Sequence, residues 1–193
     1  MDNYDFGHVT SVEQFYQEIR QRQVEEFGGI EYVRHHDVMQ RLFLDEGCSS
    51  YRELGTHQGA SAAAVMLTKP KIMELIDTNM DRFNRFLRPL AEAYCAVHNI
   101  ELSVRQISST SKEAASGSVD VLLVDTWHNV RQVQAELEVH SDQVGRFIVF
   151  HDTATFPKIK ACVDRFCFKN RSWKVIEHCK KSVGTTVIKR ERD

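Results

Sequence analysis

The sequence predicts an α/β protein in which seven strands, mostly parallel, form an open, doubly wound sheet that ends in a reversed C-terminal hairpin. Three observations predict this fold. Strand-like and helix-like segments alternate after Gly47, two candidate strands contain continuous apolar runs (Val121–Val124 and Phe147–Phe150), and only about seven residues separate the last two strands. Strands that are apolar on both faces are typical of parallel sheets covered by helices. Because so short a connection cannot hold a helical crossover, we expect the last two strands to pair antiparallel.

The N-terminal segment, residues 1–46, has helical spacing. Apolar residues recur every three or four positions from Val12 to Ile19, and a glycine pair ends this helix. A second helical stretch follows. His35 and His36 lie in a charged part of it, and we expect both to face solvent.

Strand and helix candidates alternate through residues 47–193, which we predict to form one α/β domain. The strand candidates are Tyr51–Leu54, Ile72–Ile76, Ile100–Ile107, Val119–Val124, Phe147–Phe150, Trp173–Glu177 and Thr185–Ile188. Helical spacing marks Ala60–Leu67, Phe83–Val97, Lys112–Ala115, Val130–Val139 and Ile159–Phe168. Because parallel strands need long connections, we expect the crossovers to form right-handed βαβ units.

The composition argues against several classes of protein. The 193 residues carry 25 lysines and arginines against 27 aspartates and glutamates, so the net charge of -2 gives no overall basic field for nucleic acid or anionic membranes. No apolar run approaches the roughly 18–20 residues that cross a bilayer. The N-terminus lacks a secretory-signal pattern, and the five cysteines are scattered without CxxC spacing. We therefore expect a cytoplasmic protein that binds neither membranes nor nucleic acid; homo-oligomerisation stays open.

The residues that follow each strand are the candidates for a ligand site, because doubly wound sheets bind ligands outside the carboxyl ends of their strands. The first strand leads into a turn from Gly55 to Gly59, whose spacing differs from the dinucleotide fingerprint and from the P-loop. Asp77 ends the second strand, 22 residues past Gly55, near the spacing at which an acid binds ribose hydroxyls. Equally, the turn can be purely structural and Asp77 can cap the next helix.

Two carboxylates and two imidazoles follow the fourth and fifth strands. Asp125 ends the fourth strand and is followed by His128, whereas His151 and Asp152 follow the fifth. Neighbouring parallel strands lie about 4.8 Å apart, so Asp125 and Asp152 can share one divalent cation. Carboxylate ligands favour Mg²⁺, Mn²⁺ or Ca²⁺, and a histidine ligand adds Zn²⁺ or Fe²⁺. Alternatively, these groups serve as acid and base without a metal.

These motifs resemble those of the class I S-adenosylmethionine-dependent methyltransferases, whose fold is Rossmann-like. The stretch Glu53–Gly59 (E-x-G-x-x-x-G) is similar to their first motif, and MELIDTN is similar to their acidic second-strand motif. Residues 119–153 resemble a small methyltransferase group often labelled cephalosporin hydroxylases, with the pattern strand–Asp–x–x–His, helix, strand–His–Asp–Thr. The resemblance covers about residues 50–155.

The resemblance implies a binding site for S-adenosylmethionine. Asp77 would hold the ribose hydroxyls, and Ser108 or Ser109 would lie near the adenine. Asp125 would lie beside the reactive methyl group. The other implied cofactor-binding residues are Glu53, Gly55, Thr56, His57 and Gly59.

The resemblance also implies the reaction, which is O-methylation of a small hydroxylated acceptor. Metal-dependent relatives bind a divalent cation through acids at these two strand ends, but this chain has His151 and Asp152 where two acids are usual. The implied ligands for Mg²⁺ or another divalent cation are Asp125, His151 and Asp152. The candidate catalytic residues are Asp125, His128 and His151, because an acceptor hydroxyl needs a base or a metal to lower its pKa. A second departure is the usual Pro-Gly-Gly-like turn, which residues 142–146 replace.

Three other functions stay open. A non-haem iron oxygenase would use His128, His151 and a carboxylate, but the glycine turn and Asp77 would then have no role. A nicotinamide dehydrogenase would need two more glycines, at the positions of His57 and Ala60. A nucleotide-binding module that has lost catalysis is compatible with the altered motifs.

Two further expectations concern the helices. Residues 1–46 are expected to lie over the cofactor crevice and to help choose the acceptor, because loops and segments over strand ends commonly carry substrate contacts. Glu136 and Glu138, on the helix after Asp125, are expected to face water. Trp127 is expected either to stack on a ligand or to pack beneath the rim.

Overall fold

A seven-stranded sheet runs through the computed structural model, which describes residues 5–115 and 117–191. The strands are β1 (Ser50–Leu54), β2 (Ile72–Asp77), β3 (Glu101–Gln106), β4 (Val119–Val124), β5 (Val144–His151), β6 (Trp173–Cys179) and β7 (Thr185–Arg190). They lie in the order β3-β2-β1-β4-β5-β7-β6. Strands β1 to β5 are parallel, and β7 pairs antiparallel with β5 and β6. The predicted doubly wound sheet and reversed hairpin are confirmed.

Helices cover both faces of this sheet. The α-helices are α1 (Val12–Glu26), α2 (Arg34–Leu44), α3 (Ala60–Met66), α4 (Asp81–Phe86), α5 (Arg88–His98), α6 (Val130–His140) and α7 (Pro157–Lys169). Short 3₁₀ turns occupy Ile30–Val33, Lys112–Ala114 and Ser141–Gln143. Ser11 caps α1, because its hydroxyl accepts a hydrogen bond from the backbone N–H of Gln14.

The predicted helix over residues 83–97 is in fact two helices, α4 and α5, which meet at Leu87. Pro89 lies in the first turn of α5, where its missing N–H leaves no bond unmade. In a continuous helix the same proline would remove a hydrogen bond and clash with the preceding turn. Pro89 is therefore the physical reason for the break.

Each face of the sheet has its own hydrophobic core. Val121 belongs to one core, and Leu122, the next residue along β4, belongs to the other; Tyr51 and Leu54, three residues apart on β1, are divided in the same way. The first core also contains buried side chains of α1 and α2, such as Phe15, and both helices pack against α3. The second core is covered by α6 and α7. Residues 5–46 thus share a core with the sheet.

The direction of the chain across the sheet reverses between β1 and β4. From β1 the chain proceeds outward to β2 and β3, and it then returns to β4 on the other side. This reversal leaves a crevice at the carboxyl ends of the two central strands, which is where such sheets bind ligands. Among the described residues, no helix has the length and apolar character needed to cross a bilayer.

Candidate active site

A cleft of about 420 Å³ opens at the carboxyl ends of β1, β2, β4 and β5. It brings together most of the side chains that the sequence predicts for the site. The lining residues are Tyr32, Gly55, His57, Ile76, Asp77, Thr78, Ser109, Asp125, Thr126, Trp127, His128, Gln132, His151 and Asp152. Four predicted site residues are not in this lining: Glu53, Thr56, Gly59 and Ser108.

Gly55 begins the turn after β1, and both its conformation and its surroundings require glycine. Its φ is +91°, in the region that side chains with a Cβ rarely adopt. A Cβ at this position would lie 1.9 Å from the carbonyl oxygen of Asp125. Gly55 therefore allows the end of β1 to approach the end of β4 closely, and this approach places Asp125 beside the turn.

Gly59 ends the same turn but serves packing. A Cβ on Gly59 would lie 2.7 Å from the Leu87 side chain and 3.0 Å from that of Phe83. Gly59 is buried, as is Thr56 beneath the turn. The structure therefore explains Gly59 through the packing of the turn against Phe83 and Leu87, and neither Gly59 nor Thr56 lines the cleft.

Glu53 lies on β1 behind the turn, where it is fully buried. Its carboxyl accepts hydrogen bonds from the hydroxyls of Tyr51, at 2.6 Å, and Ser61, at 2.9 Å. Burial raises the pKa of Glu53 to about 8 in spite of these bonds. Because Ser61 lies in the first turn of α3, Glu53 ties the strand to the helix that follows the glycine turn.

Asp77 connects the glycine turn to the loop after β2. One carboxylate oxygen accepts from the backbone N–H of His57 at 2.8 Å, and the other accepts from that of Asn79 at 3.1 Å. Helix α4 begins at Asp81, so Asp77 does not cap it. The Thr78 hydroxyl also donates to Asp77, at 3.4 Å. A carboxylate has about four lone-pair positions, so Asp77, which lines the cleft, keeps acceptor capacity beyond these three bonds.

Two histidines and two aspartates meet at the rim formed by β4 and β5. His151 Nδ1 lies 3.2 Å from Asp125 Oδ1 and 3.3 Å from Asp152 Oδ2. His128 Nε2 lies 2.5 Å from the same oxygen of Asp152. Asp152 has a left-handed backbone, with φ of +59°, and this conformation turns the chain at the end of β5. The rim is thus a chain of alternating acidic and imidazole groups.

The pKa values at this rim follow from burial and charge. Burial alone would lower the pKa of His151, but the adjacent Asp125 and Asp152 carboxylates outweigh it and raise the pKa to about 10. Burial alone would raise the pKa of Asp152. Its hydrogen bond and ion pair with His151 and, to a smaller extent, those with His128 hold that pKa below its usual value. His151 therefore carries a positive charge that Asp125 and Asp152 share.

His128 and His151 differ in their access to a ligand. The side chain of His128 is 40% exposed and stacks on Phe156, with ring centroids 4.3 Å apart. The side chain of His151 is only 4% exposed. Because His128 is accessible and held between an aromatic ring and Asp152, it is the better placed of the two to exchange a proton with a ligand.

A possible cation site at the rim differs from the set that the resemblance implied. One ligand atom each from Asp125, His128 and Asp152 lie within 4.8 Å of one another. His151 is not in this group, since its Nδ1 faces the two carboxylates instead. Carboxylate and imidazole ligands suit several divalent cations.

Ser109, near the end of β3, belongs to a buried network centred on Glu136. One oxygen of Glu136 accepts bonds from Ser109, Thr126 and Gln132, all within 2.6–2.8 Å. Burial raises the pKa of Glu136 although these three bonds oppose the rise. The expectation that Glu136 faces water is wrong: its side chain is buried, and the three hydrogen-bond donors take the place of water around the carboxylate. Glu138, in contrast, is exposed as expected.

The expectation that His35 and His36 face solvent is also wrong. Both are buried, with 3% and 0% exposure. Their helical spacing indicates burial, because His36 and His35 lie three and four residues before Met39, on the apolar face of α2. The ring of His35 packs on His151 at 4.1 Å between centroids, so α2 reaches the rim from below.

Tyr32 and Trp127 complete the cleft. Tyr32, in the 3₁₀ turn before α2, lines the cleft and meets the His151 ring edge-on. Trp127 is 75% exposed and lines the cleft, so it does not pack beneath the rim. Sequence reasoning did not find Tyr32, because no strand precedes it.

Neither a protein-family model nor a curated protein matches the chain. Solved structures of methyltransferases do. A proposed caffeoyl-CoA O-methyltransferase from Staphylococcus aureus has a TM-score of 0.66 at 11% identity, over 95% of this chain and 94% of its own. An O-methyltransferase from Bacillus cereus, solved in complex with SAH, has a TM-score of 0.65 at 12% identity, over 93% and 90%.

The likeness extends to a methyltransferase with a different acceptor atom. An N-methyltransferase from Bradyrhizobium japonicum has a TM-score of 0.57 at 14% identity, over 82% of this chain and 96% of its own. At such identities the comparisons show the fold alone. The chain has the Rossmann-like fold of the class I methyltransferases, as the resemblance implied.

Proposed function

We propose that this chain is an S-adenosylmethionine-dependent methyltransferase that methylates a hydroxyl group of a small acceptor. One observation carries the proposal. A single cleft holds Asp77 and the Gly55 turn on the β2 and β1 side, and Asp125, His128 and Asp152 on the β4 and β5 side. The fold shared with the SAH-bound structure from Bacillus cereus supports the cofactor assignment.

The proposed cofactor side of the cleft suits a cationic nucleoside. Asp77 has acceptor capacity for ribose hydroxyls, and such charge-assisted bonds are about twice as strong as neutral ones. Asp77, Asp125 and Asp152 bring three carboxylates to the lining of the cleft. A positively charged sulfonium is attracted by these carboxylates. Ser109 lines the cleft at the proposed adenine end.

The proposed chemistry is an in-line displacement at carbon. The acceptor hydroxyl gives its proton to His128, its oxygen forms a bond to the methyl carbon, and the carbon–sulfur bond breaks with its electron pair returned to sulfur. Asp152 holds Nε2 of His128, which leaves Nδ1 to take the proton and stabilises the resulting imidazolium. The protein mainly has to align the two reactants and remove this proton.

We also propose that the rim takes a divalent cation. Asp125, His128 and Asp152 have the donor types and the proximity that the site requires. A bound cation would supply a Lewis acid that lowers the pKa of the acceptor hydroxyl, and the hydroxyl proton would then pass to solvent rather than to His128, because a coordinated imidazole is a poor base. The proposed contribution of residues 1–46 is acceptor selection through Tyr32, which lines the cleft.

The test is methyl transfer from methyl-labelled S-adenosylmethionine to a pool of small phenols, sugars and other hydroxylated compounds, with and without added Mg²⁺. We expect labelled product and S-adenosylhomocysteine in equal amounts. His128→Asn should lose most turnover while it still binds S-adenosylhomocysteine. Cofactor binding without methyl transfer to any acceptor would instead favour the nucleotide-binding module.

A further inference from the structure

Glu136 lies behind one wall of the cleft and binds the side chains that form this wall. We call Ser109, Thr126 and Gln132 the polar wall, and all of them line the cleft. Glu136 is fully buried on α6, one helical turn after Gln132, and does not line the cleft itself. The proposed function does not use its carboxyl group.

The polar wall uses all its side-chain hydrogens internally. Oε1 of Glu136 accepts from the hydroxyl of Ser109 at 2.6 Å and from that of Thr126 at 2.7 Å. Nε2 of Gln132 donates to the same oxygen at 2.8 Å and to Oγ of Ser109 at 2.9 Å. Because a hydroxyl has one hydrogen and an amide nitrogen has two, no side chain of the polar wall keeps a polar hydrogen for a ligand.

The polar wall still offers hydrogen-bond acceptors. The hydroxyl oxygens of Ser109 and Thr126 keep lone pairs, and no donor among the described residues bonds to the amide oxygen of Gln132. Oε2 of Glu136 is buried without a partner within residues 5–115 and 117–191, so it draws no donor away from Oε1. The side chains of the polar wall can therefore accept a hydrogen bond from a ligand but cannot donate one.

The proposed function brings a nucleoside base to the polar wall. Asp77, at the end of β2, would hold the ribose, and the sulfonium would point toward Asp125, after β4. The base is attached on the other side of the ribose, so it extends outward, toward the loop after β3 that contains Ser109. The exocyclic amino group of adenine is a donor, whereas the oxygen of a 6-oxopurine at the same position is an acceptor.

We propose that Glu136 is a positioning residue that makes the cleft select adenine over a 6-oxopurine. By taking the hydrogens of the polar wall, it leaves acceptors that match the amino group of the base. A 6-oxopurine would bring an acceptor against acceptors, which should weaken binding by roughly 10- to 100-fold. The identity of the base rests on the proposed function, whereas the lack of side-chain donors in the polar wall does not.

The experiment measures by calorimetry the Kd of S-adenosylhomocysteine and of S-inosylhomocysteine, in which an oxygen replaces the amino group of the base. Glu136→Met removes the acceptor behind the polar wall but keeps an unbranched side chain that suits a helix. Glu136→Gln removes the charge but keeps one acceptor oxygen, which the donors of the polar wall hold in the place of Oε1. Glu138→Met is the matched control, because Glu138 is exposed on the same helix.

We expect the native chain, Glu136→Gln and Glu138→Met to bind S-adenosylhomocysteine roughly 10- to 100-fold more tightly than S-inosylhomocysteine. Glu136→Met should bind the two about equally, because the freed hydroxyls can turn and donate to the oxygen of the base. Unchanged discrimination in a folded Glu136→Met protein would overturn the proposal. If that variant does not fold, the native chain and Glu136→Gln still decide, because equal Kd values in either one overturn it.

The same measurements separate this proposal from the proposed function. Discrimination between the two nucleosides without methyl transfer to any acceptor would contradict the proposed reaction and support the role of Glu136. Methyl transfer by a chain that binds both nucleosides equally would contradict the role of Glu136 alone.

Discussion

At the scale of single residues, the site depends on how a few charged groups share partners. Asp152 is held by two imidazoles, and its left-handed backbone is a conformation that aspartate tolerates better than most residues. Asp77 holds the glycine turn through the N–H of His57. The two aspartates therefore belong to opposite sides of the cleft, and we expect their substitution to affect different steps.

We predict that Asp77→Ala weakens cofactor binding and that Asp152→Ala lowers turnover. Loss of the ribose bonds should raise the cofactor Kd by roughly 10- to 100-fold, since each charge-assisted bond contributes about 1.5–3 kcal/mol. Asp152→Ala should leave that Kd nearly unchanged. Calorimetry and initial rates measure the two effects, and Asp81→Ala, an exposed change in α4, is the control. Loss of cofactor binding in a folded Asp152→Ala protein would show that the roles are assigned wrongly.

The residues that follow the strands could be predicted because the fold determines where strand ends meet. Asp77, Asp125, His128, His151 and Asp152 are all found at the cleft for this reason. The hydrogen bonds and ion pairs among these side chains could not be predicted, since they depend on the directions of the side chains, which the spacing of residues in the sequence does not encode. The burial of His35, His36 and Glu136 was missed because a polar residue on an apolar face was interpreted by its polarity rather than by its position.

At the scale of elements, the central contact is the close approach of the ends of β1 and β4. Gly55 permits it, and the backbone N–H of Asp125 bonds to the carbonyl of Leu54 at 2.9 Å. The parallel sheet and its reversed hairpin could be predicted from apolar runs and connection lengths, whereas the break between α4 and α5 required attention to Pro89. The path of α2 toward His151 needs long-range packing that local patterns do not contain.

We predict that Gly55→Ala destabilises the protein by roughly 2–5 kcal/mol, from a strained backbone and a clash with Asp125. Gly145→Ala is the matched control, because Gly145 lies in β5 with ordinary φ and its nearest non-neighbour atom would be 3.6 Å from the new Cβ. Urea unfolding compares the two. Equal stability of both variants would contradict the importance given to this contact.

At the scale of the whole molecule, one hydrophobic core unites residues 5–46 with the sheet, and two buried histidines, His35 and His36, lie at that junction. Burial, followed by the charges of His151 and Arg20, lowers the pKa of His36 to about 3. The unfolded chain binds a proton at His36 below about pH 6.5, whereas the folded chain does not. The contribution of neutral His36 to the free energy of unfolding is therefore fully present above pH 6.5 and is lost as the pH falls toward 3.

We predict that His36→Phe reduces the acid sensitivity of the fold. Between the two pKa values, each pH unit of acidification lowers the free energy of unfolding by up to about 1.4 kcal/mol per such group. From about pH 6.5 to pH 5, the native chain should therefore lose roughly 2 kcal/mol more of its free energy of unfolding than the variant does. At neutral pH it should be at least as stable, because an apolar ring replaces two unpartnered nitrogens. The free energy of unfolding at the two pH values checks this, and parallel losses in both proteins would contradict the assignment of a neutral His36.

The most direct test of the central claim is a calorimetric titration of the folded protein with S-adenosylmethionine, with S-adenosylhomocysteine and, as a contrast, with NADH. We predict saturable binding of both sulfur nucleosides at one site per chain, weakened by Asp77→Ala, and no binding of NADH. Absence of heat and of any rise in Tm with either sulfur nucleoside would contradict this prediction.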